Sequence, residues 1–133
     1  MDKEKKIKYT TFGLSILVAI IFLSSLPYKF TNAAETQYIF TTVGNWIGLS
    51  FFAAFGGYLV GTLELIASIL LFVRGFKFNG AALAFVIMTG AIFFHLFSPL
   101  GVNVNEDGGA LFISAVLAWI SSIALMVIHK KKN

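Results

Sequence analysis

The chain has no cysteine, which excludes disulfide exchange, thiolate catalysis and Cys-ligated zinc or iron–sulfur centres within it. Histidine occurs only as His95 and His129. No His-x-x-x-His spacing, nucleophile triad or phosphate-binding glycine loop is present, and no metal site is expected. Proline occurs only as Pro27 and Pro99, and each is expected to close a hydrophobic stretch. Charge is scarce as well: 12% of the 133 residues are charged and 58% are hydrophobic. A water-soluble domain of this length needs far more charge on its surface.

What charge there is lies at the margins of apolar runs. Four stretches, about 7–26, 55–73, 80–97 and 109–128, each approach the roughly 20 residues that cross a bilayer. Backbone hydrogen bonds inside hydrocarbon must be satisfied within each span, so the runs are read as helices. The expected fold is all-α: a four-transmembrane-helix bundle forming a single integral membrane domain over 1–133. The basic start and the apolar stretch after it are read as an uncleaved first span, because the run is long and lacks a small-x-small cleavage pattern before Pro27. The net charge of +4 comes from basic residues that flank spans and form no stripe. This favours lipid headgroups over nucleic acid.

The segment between Pro27 and Ala54 is too long for a turn and too apolar for a solvated loop. Asn32 followed by Glu35 reads as a helix N-cap with its capping-box partner. Tyr38, Ile39, Thr42, Val43 and Trp46 recur at helical spacing. A short amphipathic helix over about 32–46 is expected at the membrane surface, anchored by Tyr38 and Trp46, with Gly44 and Gly48 loosening it before the second span.

Topology follows from the cations. Lys3, Lys5, Lys6, Lys8, Arg74, Lys77, Lys130, Lys131 and Lys132 fall on one side of a four-pass arrangement. Lys29 falls on the other, with Glu35, Glu106 and Asp107. The positive-inside rule then places both termini in the cytoplasm, in the cell (inner) membrane.

Helices in lipid approach one another through small side chains. Gly57, Gly61, Glu64 and Ser68 share one face of the second span. Ala81, Ala84, Met88, Ala91, His95 and Ser98 form a stripe on the third; Ala115, Ala118 and Ser122 on the fourth; Thr11, Ser15 and Ala19 on the first. Large Phe, Ile and Leu residues are left for lipid.

Glu64 stands out, since a carboxylate inside a span is costly and asks for a partner or a function. It is read either as a proton carrier or hydrogen-bond partner for a polar headgroup such as a quinone, or as a protonated structural residue. His95 is read either as a proton relay or ligand, or as a headgroup-level histidine bonded to the outer loop. Together Glu64, Ser68, His95 and Trp119 make the candidate cofactor-binding pocket, with quinone as the possible ligand and no catalytic residue assigned. The loop Asn103–Gly109 is rich in oxygen but lacks EF-hand spacing and a closing Glu. Asp107 is expected to cap the fourth span. Lys29 is expected to form a surface pair with Glu35.

Several segments together resemble the DoxX-like family of small four-helix membrane proteins, and the resemblance covers most of the chain. They are Lys29-Phe30-Thr31 with Glu35–Phe40, then Gly61–Leu71, then Gly90–Leu96, and Asp107-Gly108-Gly109. Where the family often carries an acid after the paired glycines, this chain has Ala110. The resemblance implies a four-helix bundle linked to membrane redox systems, since some members are similar to a subunit of thiosulfate:quinone oxidoreductase. The expected role is therefore an accessory subunit, or quinone- or lipid-binding component, of an inner-membrane redox assembly. It would be non-enzymatic in isolation, with other membrane subunits or a second copy as partners. A scaffold without a site of its own is the alternative, and a small proton-coupled transporter the next.

Overall fold

The computed structural model describes residues 2–130, the Asn105 side chain excepted. Five α-helices follow in order: α1 (Lys3–Phe30), α2 (Ala34–Ile47), α3 (Ser50–Leu70), α4 (Lys77–Phe97) and α5 (Ala110–His129), with a single 3₁₀ turn at Val104–Glu106. No strand occurs among the described residues. Helices α1, α3, α4 and α5 are each long and apolar enough to cross a membrane, which makes a bilayer the natural environment. Their outer surfaces agree. Ile20, Phe51, Val86 and Val127 are 60%, 66%, 64% and 70% exposed, which in water would be a large unfavourable apolar surface.

The start of α1, the α3–α4 turn and the end of α5 meet at one end of the bundle. There Thr11 bonds His129 across 3.1 Å, and the Phe12 ring meets Phe72 edge-on at 6.4 Å. At the opposite end Val43 of α2 packs with Leu100 and Val104 of the α4–α5 connection. Between the ends lies a core of Val18, Phe22, Ala67, Leu71, Ala84, Met88, Ala118 and Leu125.

The expected small-residue faces are the buried ones. Thr11, Ser15 and Ala19 of α1 are inside, as are Gly57, Gly61, Glu64 and Ser68 of α3, Ala81, Ala84, Met88 and His95 of α4, and Ala115, Ala118 and Ser122 of α5. Ala91 and Ser98 are only partly buried. The α3 glycines each make room for a particular neighbour. A Cβ on Gly57 would fall 2.6 Å from the Thr36 methyl, and one on Gly61 would press on Lys29 and Phe30 at 3.2–3.3 Å. The GxxxG face thus receives the junction of α1 and α2.

Three boundaries differ from expectation. Pro27 does not end α1; the helix continues to Phe30. Proline removes the donor toward the Leu23 carbonyl and crowds it, and α1 absorbs that loss for one more turn. The stop lies at Asn32, whose φ of 51° is left-handed. Its N–H donates to Lys29 O (3.3 Å), and the Ala33 N–H donates to Tyr28 O (3.0 Å). That is a Schellman closure, in which asparagine replaces the usual glycine. Asn32 therefore ends α1 and does not cap α2, whose N-cap is Ala33 with no side-chain bond. Thr36 instead ties the new helix back by donating to Tyr28 O at 3.0 Å.

The short helix α2 is present, and it folds back on α3. Phe40 meets Phe52, and a Cβ on Gly44 would collide with the Ala53 backbone nitrogen at 2.5 Å. Gly48, at φ 76°, makes the reversal into α3, which consequently begins at Ser50 and not at Phe55. Tyr38 and Trp46 remain half exposed, and Trp46 rests against Phe93 and Phe94 of α4.

Candidate functional site

The last turn of α1 brings Lys29 against the glycine face of α3. With no side chain on Gly61 to block it, the lysine stem runs back along its own helix. Lys29 Nζ donates to Ser25 Oγ at 2.9 Å and to Glu64 Oε1 at 2.5 Å. Ser25 Oγ in turn donates to Phe22 O at 2.8 Å. The Glu64 side chain is 4% exposed and that of Lys29 is 17% exposed, so this is a buried ion pair with its cation toward the rim. The expected Lys29–Glu35 surface pair is not what forms. Lys29 sits in the face of α1 that turns inward, and the cost of a lone carboxylate inside the span draws it there.

The pair answers the demand that Glu64 poses. A carboxylate and an ammonium held in contact, with a hydroxyl completing the shell, satisfy each other where water cannot. Such a pair also fixes α1 to α3, because separating the helices would strand two charges in hydrocarbon. The sequence reading missed Lys29 as the partner. A signal was there: Thr11, Ser15, Val18, Phe22, Ser25 and Lys29 alternate steps of four and three, the spacing of one continuous helix face.

The other candidate residues have separate settings. Ser68 lies one turn below Glu64 and donates its hydroxyl to the Glu64 backbone carbonyl at 2.8 Å, not to the carboxylate. His95 is 7% exposed, and its Nδ1 lies 2.8 Å from Gly101 O. A carbonyl only accepts, so Nδ1 carries the proton, and the ring is tied to the connection between α4 and α5. Trp119 donates Nε1–H to Thr89 Oγ1 at 2.9 Å and stacks on Phe85, on the α4–α5 seam. Phe52 sits beside Phe94, so Glu64, about three turns further along α3, is well removed from His95. Among the described residues no hydrogen bond joins Glu64 to His95 or Trp119. The structure brings Glu64 and Ser68 onto one face and leaves the other two elsewhere.

Asp107 gathers the connection between α4 and α5. Its Oδ1 accepts from the N–H groups of Val104 (3.1 Å) and Gly109 (2.8 Å), and its Oδ2 accepts from Leu111 N–H (3.1 Å) in the first turn of α5. The N-cap position of α5 is Gly109, and the Asp107 carboxylate satisfies a first-turn N–H from two residues before it. Partial desolvation pushes its carboxyl upward, but the three N–H donors outweigh this, and with His95 nearby they hold it below the usual carboxylate range.

The chain matches no protein-family model, no curated protein and no solved structure.

Proposed function

We propose that this chain is an accessory subunit of a membrane redox assembly, of the DoxX-like kind it resembles, and that Glu64 serves it as a structural joint. The observation that carries this reading is the Lys29–Glu64 contact. The one carboxylate within α3, α4 and α5 is already engaged by a cation, and the Ser68 hydroxyl beside it is spent on the backbone. That arrangement suits a rigid four-span body better than an acid waiting for a quinone carbonyl. The exposed rings of Phe51, Phe55 and Tyr58 form an apolar face along α3, against which an apolar helix of another subunit would pack.

The proposed orientation places both termini in the cytoplasm. Arg74, Lys77 and Lys130 lie at the same end of the bundle as the N-terminal lysines, consistent with the positive-inside bias. The inner membrane of a cell is the proposed location.

The reading is tested by gentle extraction in native lipid, followed by identification of stoichiometric partners and lipid-soluble cofactors. The charge-free double variant Lys29→Met with Glu64→Met is expected to keep the partner subunits and the activity of the assembly. A stoichiometric quinone that is lost with Glu64→Gln while the helices stay folded would overturn the structural role. So would loss of activity in a folded double variant.

A further inference from the structure

At the end of the bundle where α1 begins and α5 ends, a cleft of about 660 Å³ opens between the α3–α4 turn and the end of α5. Gly75, Lys77, Phe78, Asn79, His129 and Lys130 line it. We propose that this cleft holds the phosphate group of an anionic phospholipid.

The first argument is charge. Among the described residues two lysines face the space, with the His129 ring beside them, and no acidic side chain lines it. Lys77 is not a freely waving surface lysine. Its Nζ donates to Leu71 O at 3.2 Å, which closes the last turn of α3 and fixes the ammonium at the wall. His129 is likewise held by Thr11 at 3.1 Å. The second argument is the backbone. One wall is the first turn of α4, whose N-cap, Phe76, offers no side-chain bond to the free N–H groups. Those groups and the positive end of the helix dipole favour an anion. The third argument is position. Phe72, Phe76 and Phe78 are 46%, 50% and 39% exposed at this same end. They offer apolar rings to acyl chains at the level where the cleft offers cations to a headgroup. A free phosphate would use only half of that surface, whereas a phospholipid uses all of it. Basic recesses between spans at the positive side of a bilayer favour anionic headgroups for these reasons.

The site does not depend on the accessory-subunit reading, since neither Lys29 nor Glu64 takes part. The test uses the intact protein in nanodiscs of phosphatidylcholine doped with phosphatidylglycerol, with native mass spectrometry counting the lipid that stays bound. Phosphatidylglycerol is expected to be retained in preference to phosphatidylcholine. Lys130→Gln is expected to lower that retention about fivefold, the value of one lysine near an anionic surface. Lys5→Gln, which removes a charge at the same end outside the cleft, is expected to leave it unchanged. Asn79→Asp separates folding from binding. An acid in the first turn of α4 favours the helix, so the fold is expected to hold while retention falls. Equal losses with Lys5→Gln and Lys130→Gln would reduce the effect to general surface charge and overturn the site. Unchanged retention in Asn79→Asp would do the same. If inorganic phosphate alone raises the melting temperature as much as the phospholipid does, the lipid assignment fails and the cleft is a simple anion site.

Discussion

Where α1 meets α3, a lysine and a glutamate share the interior. Where α4 meets α5, Ala81, Ala84, Ala115 and Ala118 do, with Trp119 bonding Thr89 at the seam. Both contacts join helices through faces cleared of bulk, but they respond differently to change. The α4–α5 contact is a sum of many small dispersion terms, any one of which can be lost cheaply. The α1–α3 contact adds one term that is all or nothing, because a charge left alone in hydrocarbon cannot find water.

The largest expected effect follows from that asymmetry. Lys29→Met leaves the Glu64 carboxylate buried without its cation and should destabilise the fold by about 3–5 kcal/mol. Adding Glu64→Met should recover most of that loss. Reversible unfolding in mixed micelles measures both. A Lys29→Met loss of under about 1 kcal/mol would erase the contrast between the two contacts.

An intermediate effect is expected at the connection between α4 and α5. Asp107→Ala removes the acceptor for three N–H groups and should cost about 1–2 kcal/mol, the usual range for a lost helix cap. The pH dependence has a definite sign. The folded carboxyl lies below its ordinary value of about 3.9, so its contribution is complete at neutral pH. It is lost as pH falls past that ordinary value and through the folded one. Amide exchange at Leu111 should accelerate over that acidic window in the parent and not in Asp107→Asn. Acceleration confined to neutral pH instead would rule out the Asp107 carboxylate as the titrating group.

The smallest effect belongs to the α4–α5 seam. Trp119→Phe keeps a ring on Phe85 and loses only the bond to Thr89, for which about 0.6 kcal/mol is typical between membrane helices. The same unfolding measurement applies. A loss approaching that of Lys29→Met would show that polar contacts carry both interfaces equally.

Much of this was visible in the order of residues. The small faces of the four spans were readable because a period of 3.6 puts residues three and four apart on one side, but the large Phe22, Leu71 and Leu125, expected toward lipid with the other big side chains, fill the core between those faces. Glu64 was legible as an interior group by the same period, and Asp107 as a partner for the start of α5 because its job is local. Pro27 and Asn32 misled in opposite directions. Proline next to an apolar run suggests a stop, yet α1 continues for one more turn. Asparagine suits an N-cap and a left-handed C-terminal closure alike, and only the path of the chain on either side chooses between them. His95 could be placed on the inward stripe of α4, but its bond to Gly101 required the course of the connection after α4.

By itself the sequence determined four apolar helices, the end of the bundle that collects the cations, and the side of each helix that turns inward. These are set by composition and period, which act within a single helix and its solvent. The tertiary structure alone decided which charge answers Glu64. That choice depends on α1 running past Pro27, on the absence of a side chain at Gly61, and on a lysine stem long enough to reach back to Ser25. Those conditions lie on two helices separated by more than thirty positions of chain and meet only when the helices cross.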